Sequence, residues 1–130
     1  MLSKGSKLYS ILRLKCPRCQ SGKFLKGHPY NFSRMGEVKE ECENCELKHN
    51  MEPGFFQGSF YVSYGLGVAL FVSIFVLKML FLPHLSYLST IILMVVTLLI
   101  LSPLLFALSK IIWINLFVNY DANFNKKEKL

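Results

Sequence analysis

The sequence predicts a membrane α protein: an N-terminal four-cysteine, zinc-ribbon-like module, then a two-helix transmembrane hairpin, then a C-terminal amphipathic or continued helix. Three observations predict it. All four cysteines occur as two C-x-x-C pairs, Cys16/Cys19 and Cys42/Cys45. Residues 55–120 contain no Asp or Glu, with Lys78 and Lys110 as the only full charges, and within them lie two apolar runs separated by four residues. Lys and Arg flank those runs on both outer sides and are missing from the turn between them. The organisation that follows is a cytosolic module at 1–58, a hairpin at 59–108 with spans 60–82 and 87–108, and a juxtamembrane helix with a polar tail at 109–130.

The cysteine pairs have the spacing of metal knuckles. A two-residue gap lets one tight turn aim two sulfurs at one ion, and two such turns complete a tetrahedral thiolate site. Met1–Lys15 is broken by Lys4, Lys7 and Arg13 and lacks a continuous apolar stretch of the kind a secretory signal carries. The N-terminal module is therefore expected in the cytosol, where thiols stay reduced and hold metal in preference to disulfides. Zn2+ is the leading metal, with Cys16, Cys19, Cys42 and Cys45 as its ligands. Iron in a rubredoxin-type cage is the rival, although the second knuckle lacks a Gly after Cys45 and no aromatic cluster obviously shields the site. Lys15, Arg18, Lys23 and Lys48 lie close in sequence to offset the thiolate charge, and Ser21-Gly22 marks the place where the chain must bend away from the metal.

In front of the first knuckle, Leu8, Ile11, Leu12 and Leu14 interleave with Lys4, Lys7, Arg13 and Lys15. Two readings stand: a short basic helix lying on the membrane, or a lead-in packed on the ribbon.

Residues 60–82 (FYVSYGLGVALFVSIFVLKMLFL) form a run of 23 residues, which as a helix spans about 34 Å and covers a bilayer core. Residues 87–108 form a second run of 22. The Pro83–Ser86 gap is too short for anything but an antiparallel hairpin. Of the net charge of +7, residues 1–58 carry ten Lys and Arg against six Glu, and four Lys follow the hairpin. Positive charge on both flanks places both termini in the cytoplasm. It also favours anionic lipid over nucleic acid as the partner of the basic surface. Lys78 lies four residues from the outer end of span one, where its stem can lift the ammonium to the headgroups. Pro103 removes a backbone donor from span two and tends to kink it.

Between knuckles and hairpin, Met51–Tyr61 (MEPGFFQGSFY) combines a Pro-Gly turn, one acid and a dense aromatic group at the expected membrane surface. It reads as a turn docking the ribbon on the bilayer or as a partner surface. After Leu108 the chain stays apolar but becomes periodic, with Trp113 and Tyr120 suited to the interface and Asn115 one turn from Asn119. It is either an interfacial helix or a continuation of span two. NKKEKL, residues 125–130, reads as a polar tail.

The residues offer little for catalysis. Apart from Lys78 the spans supply only Ser, Thr and Tyr as polar groups, so neither an ion pathway nor a nucleophile with its base is present, and no enzymatic activity is expected. His28, His49 and His84 are each expected to be exposed, since four thiolates already complete a zinc site. Span one does carry small residues at four-residue spacing, Ser59/Ser63/Gly67 and Gly65/Ala69/Ser73. Such rows let span two, another membrane protein or a second copy approach closely.

CPRC, the downstream CENC, the EPGFFQGSFYVSYG entry into span one, the short hairpin and the closing SKIIWINLFVNYD together resemble a bacterial family, domain of unknown function nine-eight-three. The resemblance runs over residues 9–121. It implies a cytoplasmic four-cysteine ribbon ahead of two inner-membrane helices, and an assembly role by association with membrane-complex biogenesis. The commoner family pattern has Gly where this chain has Glu46, and Asp-Gly in place of Glu-Pro-Gly. The function expected is thus a non-enzymatic scaffold or assembly factor with structural zinc; the alternatives are a redox or metal-handling protein and, more weakly, a membrane-tethered nucleic-acid binder.

Overall fold

In the computed structural model, which describes residue 3 and residues 5–124, three α-helices account for most of the ordered backbone: α1 (Lys7–Arg13), α2 (Ser59–Phe81) and α3 (Tyr87–Phe117). The polar tail at 125–130, like Lys4 of the basic lead-in, lies outside the described residues. Short 3-10 turns occur at Phe32–Arg34, Phe55–Gly58 and Ala122–Phe124. No extended strand forms among the described residues; the ribbon consists of three antiparallel bridges, Lys15↔Lys23, Leu25↔Val38 and Glu41↔Lys48. It is a hairpin arm (residues 23–41) held between two knuckles.

α2 and α3 are long and apolar enough to cross a membrane. Their apolar side chains are largely exposed, including Phe71, Val76, Leu80, Ile91, Val95 and Leu99. A water-soluble core helix would bury such residues, and two helices exposing them on most sides are suited to lipid. The hairpin turn ends at Ser86, whose hydroxyl accepts from the Ser89 N–H at 3.3 Å and caps α3. At the same end Lys78 does not stand alone, because its ammonium lies 5.0 Å from the centre of the Tyr87 ring. Pro103 has no N–H for the Leu99 carbonyl, and the Ser102 hydroxyl donates to that oxygen at 3.0 Å instead.

Beyond Leu108, α3 continues as one helix to Phe117, so the continued-helix alternative is the one found. The reason is packing. Ala107, Ile111, Ile114 and Val118 bury against Phe24 and Leu25 of the arm, with Ile11, Leu14, Val38, Leu47, Phe55 and Phe56 closing around them. Apart from the cluster of the four cysteines with Leu47, the N-terminal module's apolar core is therefore shared with the end of α3. α1 joins through Ile11 while Leu8 and Leu12 stay exposed, and the buried Asn115 amide donates to Ser10 Oγ at 3.2 Å and to the Ile111 carbonyl at 2.7 Å. The lead-in thus packs on the module. In α2, Ser59 is buried and Ser63 and Gly67 half-buried, whereas Gly65, Ala69 and Ser73 face outward. A Cβ at Gly65 or Gly67 would meet nothing within 4 Å, so α3 makes no close approach at either.

Candidate metal centre

Each knuckle is a tight turn closed by its own backbone. The Gln20 N–H donates to the Cys16 carbonyl and the Glu46 N–H to the Cys42 carbonyl, both at 2.9 Å. The residue after each second cysteine adopts the left-handed region, Gln20 at φ 53° and Glu46 at φ 59°. This explains why glycine suits the position after a knuckle, and why Glu46 carries a backbone cost that a Gly there would not. The turns then return to the first cysteine: Cys16 N–H bonds Gly22 O at 3.0 Å and Cys42 N–H bonds Leu47 O at 2.9 Å.

The two turns bring all four sulfurs together, within 4.8 Å of one another. Cys16 Sγ lies 3.6 Å from Cys45 Sγ, and Cys19 Sγ lies 3.6 Å from Cys42 Sγ. Tetrahedral thiolate ligands at zinc distance stand about 3.8 Å apart, against roughly 2 Å for a disulfide. The donor set therefore fits a single tetrahedral ion, and the four cysteines are free thiols. Exposure falls between 0% and 5% for all four, so solvent barely reaches them. Hydrogen bonds with Cys19 and Cys42 hold the Cys16 thiol up, hydrogen bonds from Cys16 and Cys42 lower Cys19, and burial pushes Cys45 up to about 11. Four thiolates cannot share so small a buried space without a cation.

Around the sulfurs, Arg18 reaches across from the first knuckle and donates from Nη2 to the Cys45 carbonyl at 3.0 Å. Its guanidinium also covers the Phe124 ring at 4.0 Å, and its carbonyl accepts the Asp121 N–H at 2.9 Å. Gln20 ties the lead-in to the same knuckle, accepting from Gly5 N–H at 2.7 Å and donating to Ser6 O at 2.9 Å. The chain thus closes over the metal site from both sides. Lys15, Lys23 and Lys48 occupy the flanking bridges. Gly22, read from sequence as a bend, is needed for space: a Cβ there would stand 2.4 Å from Cys42 Sγ.

His28 and His84 are exposed as expected, but His49 is fully buried. Its ring meets the Phe24 ring edge-on at 4.9 Å, and Nδ1 lies 2.7 Å from the Lys39 carbonyl. A carbonyl only accepts, so Nδ1 carries the proton. Burial lowers the pKa of the ring and keeps it neutral. The expectation of an exposed His49 failed because the return from the second knuckle folds back onto the arm, a long-range contact that no local pattern announces. His49 is a packing and hydrogen-bonding residue beside the site, and the four cysteines form the metal cluster found among the described residues.

At the other end of the shared core, the EPGFFQGSFY segment folds onto α3. Trp113 Nε1 donates to the Phe55 carbonyl at 2.8 Å, and the Phe55, Trp113 and Phe117 rings pack edge to face or tilted. Glu52 and Gln57 line an adjoining cavity of about 490 Å3 with Trp113 and Phe117. From sequence the segment reads as a turn docking on the bilayer or as a partner surface; what the structure shows is its aromatic residues packed on α3.

A four-cysteine centre fused to the end of the second of two apolar helices is the combination that comparison with known families tests. The family model described as Protein of unknown function (DUF983) matches residues 32–117. The chain belongs to that family. The match to DUF983 takes in the second knuckle, both long helices and the aromatic entry to α2, and starts beyond the first knuckle. No curated protein and no solved structure matches the chain.

Proposed function

We propose that this DUF983 protein is a non-enzymatic integral protein of the bacterial inner membrane, in which a structural zinc ribbon holds a cytosolic docking surface for the assembly or stability of a membrane complex. The observation that carries this reading is the shared core. Phe24 and Leu25 of the arm pack directly on Ile111 and Ile114 of α3, so a metal at the knuckles stiffens a platform continuous with the helix and does not swing on a linker. Zinc suits a site whose four protein ligands leave no position for water, which makes it a folding staple. Orientation rests on the ten basic residues before the hairpin and four after it, which favour both termini in the cytoplasm. For the partner, the outward row Gly65/Ala69/Ser73 is open to a neighbouring helix, from a second copy or from another membrane protein.

Purification in mild detergent tests the reading: a defined membrane-protein partner should co-purify with the wild type and be lost with Gly65→Leu or with Cys42→Ser. Recovery of the wild-type protein alone in repeated preparations would count against it. The second reading, a rubredoxin-like redox or metal-handling protein, draws support from the near-complete burial of the sulfurs. Metal quantification and a visible spectrum separate the two. One equivalent of zinc in a colourless protein supports the staple; iron with thiolate-to-metal absorption supports the alternative.

A further inference from the structure

The arm between the knuckles runs antiparallel to the cytosolic end of α3, so its position along that helix can be followed residue by residue. At the knuckle end, the Arg18 carbonyl bonds Asp121, beyond the helix terminus. Midway, Phe24 and Leu25 pack among Ala107, Ile111 and Ile114. Near the tip, Gly36 meets Phe106: its carbonyl accepts from Lys110 Nζ at 2.6 Å, and a Cβ on it would stand 2.4 Å from the Phe106 ring. From Tyr87 to Phe106 the helix rises about 29 Å, against a hydrocarbon core of about 30 Å. Phe106 therefore marks the cytosolic boundary of the bilayer, and the tip of the arm points toward that boundary while the metal site points away.

What lies at the tip is apolar and uncovered. Phe32 is 84% exposed, Met35 43% and Tyr30 39%. Arg34 is exposed among them. Part of the tip's backbone is also paired internally. Asn31 N–H bonds His28 O, Arg34 N–H bonds Asn31 O and Glu37 N–H bonds Arg34 O, at 3.0–3.1 Å. Tyr30 N–H reaches His28 Nδ1 and Ser33 N–H reaches Asn31 Oδ1, both at 3.2 Å. A loop with five of its backbone donors paired internally enters the interface at a reduced desolvation cost.

We infer that the arm tip, Tyr30, Phe32 and Met35 with Arg34 beside them, is a third membrane contact, inserted into the cytosolic interface of the same bilayer that α2 and α3 span. Its ligand is the lipid surface: the aromatic and thioether side chains take the acyl boundary and Arg34 takes headgroup phosphate. The four-cysteine module is thereby pinned to the membrane at its tip as well as through α3, which fixes the direction in which the metal-site end faces the cytosol. The inference rests on the reading of α2 and α3 as spans.

Spin labels placed singly at Phe32→Cys, Met35→Cys, Glu43→Cys on the second knuckle and Leu93→Cys within α3, in the metal-loaded full-length protein reconstituted into vesicles of mixed zwitterionic and anionic lipid, test it. Collision rates with oxygen and with a water-soluble nickel chelate report depth. Positions 32 and 35 should show a several-fold higher oxygen-to-nickel ratio than position 43, approaching that at 93. Positions 32 and 35 matching 43 while 93 remains lipid-like would overturn the arm contact and leave the spans intact, as expected if the tip faces a protein partner or water. An aqueous signature at 93 would overturn both. Phe32 is so exposed that its replacement removes no core contact, and position 35 provides an independent second reading.

Discussion

Gly22 stands against the sulfur of Cys42 so closely that an added Cβ would lie 2.4 Å from it, and 3.8 Å from Cys19 Sγ. The first knuckle thus reaches the second through the one residue without a side chain. Gly22→Ala must push the first turn away from Cys42, opening a tetrahedron two of whose edges, Cys16/Cys45 and Cys19/Cys42, are 3.6 Å in the structure. Overpacking of this kind costs about 1–3 kcal/mol, and here it falls on ligand geometry. Gly22→Ala is expected to lower bound metal per chain several-fold. Gly27→Ala, whose Cβ would meet its nearest neighbour at 3.7 Å, should retain full metal. Elemental analysis of the two purified variants decides.

Removal of the metal should be felt beyond the knuckles. Because Phe24 and Leu25 share a core with Ile111, Ile114 and Val118, loss of the staple uncovers the last turns of α3 along with the arm. Chelator-extracted protein in micelles is expected to show faster amide exchange over residues 15–49 and 111–118 together, with 88–105 unchanged. Cys16→Ser should reproduce that pattern. Protection of 111–118 surviving metal loss would mean that α3 holds its shape without the module.

The two left-handed positions give a pair of opposite expectations. Glu46 at φ 59° is strained relative to glycine by about 1 kcal/mol, so Glu46→Gly should raise the thermal midpoint of the metal-loaded module by a few degrees, and Glu46→Val should lower it. Gln20 at φ 53° has the same backbone but a side chain that bridges Gly5 and Ser6 at 2.7 and 2.9 Å. Gln20→Gly should therefore destabilise despite relieving the same strain. Thermal unfolding followed by metal release measures both.

Lys110 is the one full charge on the C-terminal half of α3, and it is spent on the Gly36 carbonyl, flanked by the Phe106 ring at 4.6 Å and the Phe56 ring at 5.8 Å. Lys110→Met keeps the stem and removes a charged hydrogen bond worth about 1.5–3 kcal/mol. Faster exchange confined to residues 27–38, with metal content unchanged, is the expected outcome; no change in that segment would show that Gly36 is held by Phe106 alone.

The parts of this architecture that depend on neighbours in sequence were readable there. Four sulfurs on two tight turns and two spans either side of Pro83–Ser86 follow from spacing and composition, and the helix bounds at Ser59–Phe81 and Tyr87 fall within a residue of the apolar runs. The parts that depend on distant neighbours were not. His49 looked like a surface histidine because nothing near it shows that Phe24 will cover it, and the segment after Leu108 stayed open between an interfacial helix and a continued span because the burial of Ile111 and Ile114 depends on a module some ninety residues earlier. Gly22 and Gly36 were legible as glycines but not as clearances for Cys42 and Phe106. A periodic apolar face says that something covers it, and only the tertiary structure says what.

Gly58 offers the most direct readout, because the residue that fills the space beside it is the chain's single tryptophan. A Cβ on Gly58 would fall 2.1 Å from Trp113 Cζ2 and 2.5 Å from Cη2, both rigid ring atoms locked between Phe55 and Phe117. The backbone at Gly58 is ordinary right-handed helix, φ −62° and ψ −23°, so Gly58→Ala adds no backbone strain and its effect is purely steric. Trp113 has to swing out, breaking the 2.8 Å bond from Nε1 to the Phe55 carbonyl, a loss of about 0.5–1.5 kcal/mol. The expected signature is a red shift and stronger acrylamide quenching of tryptophan emission with unchanged metal content, since the knuckles lie at the opposite end of the shared core. An emission spectrum identical to wild type would mean that the start of α2 moves aside in place of the ring.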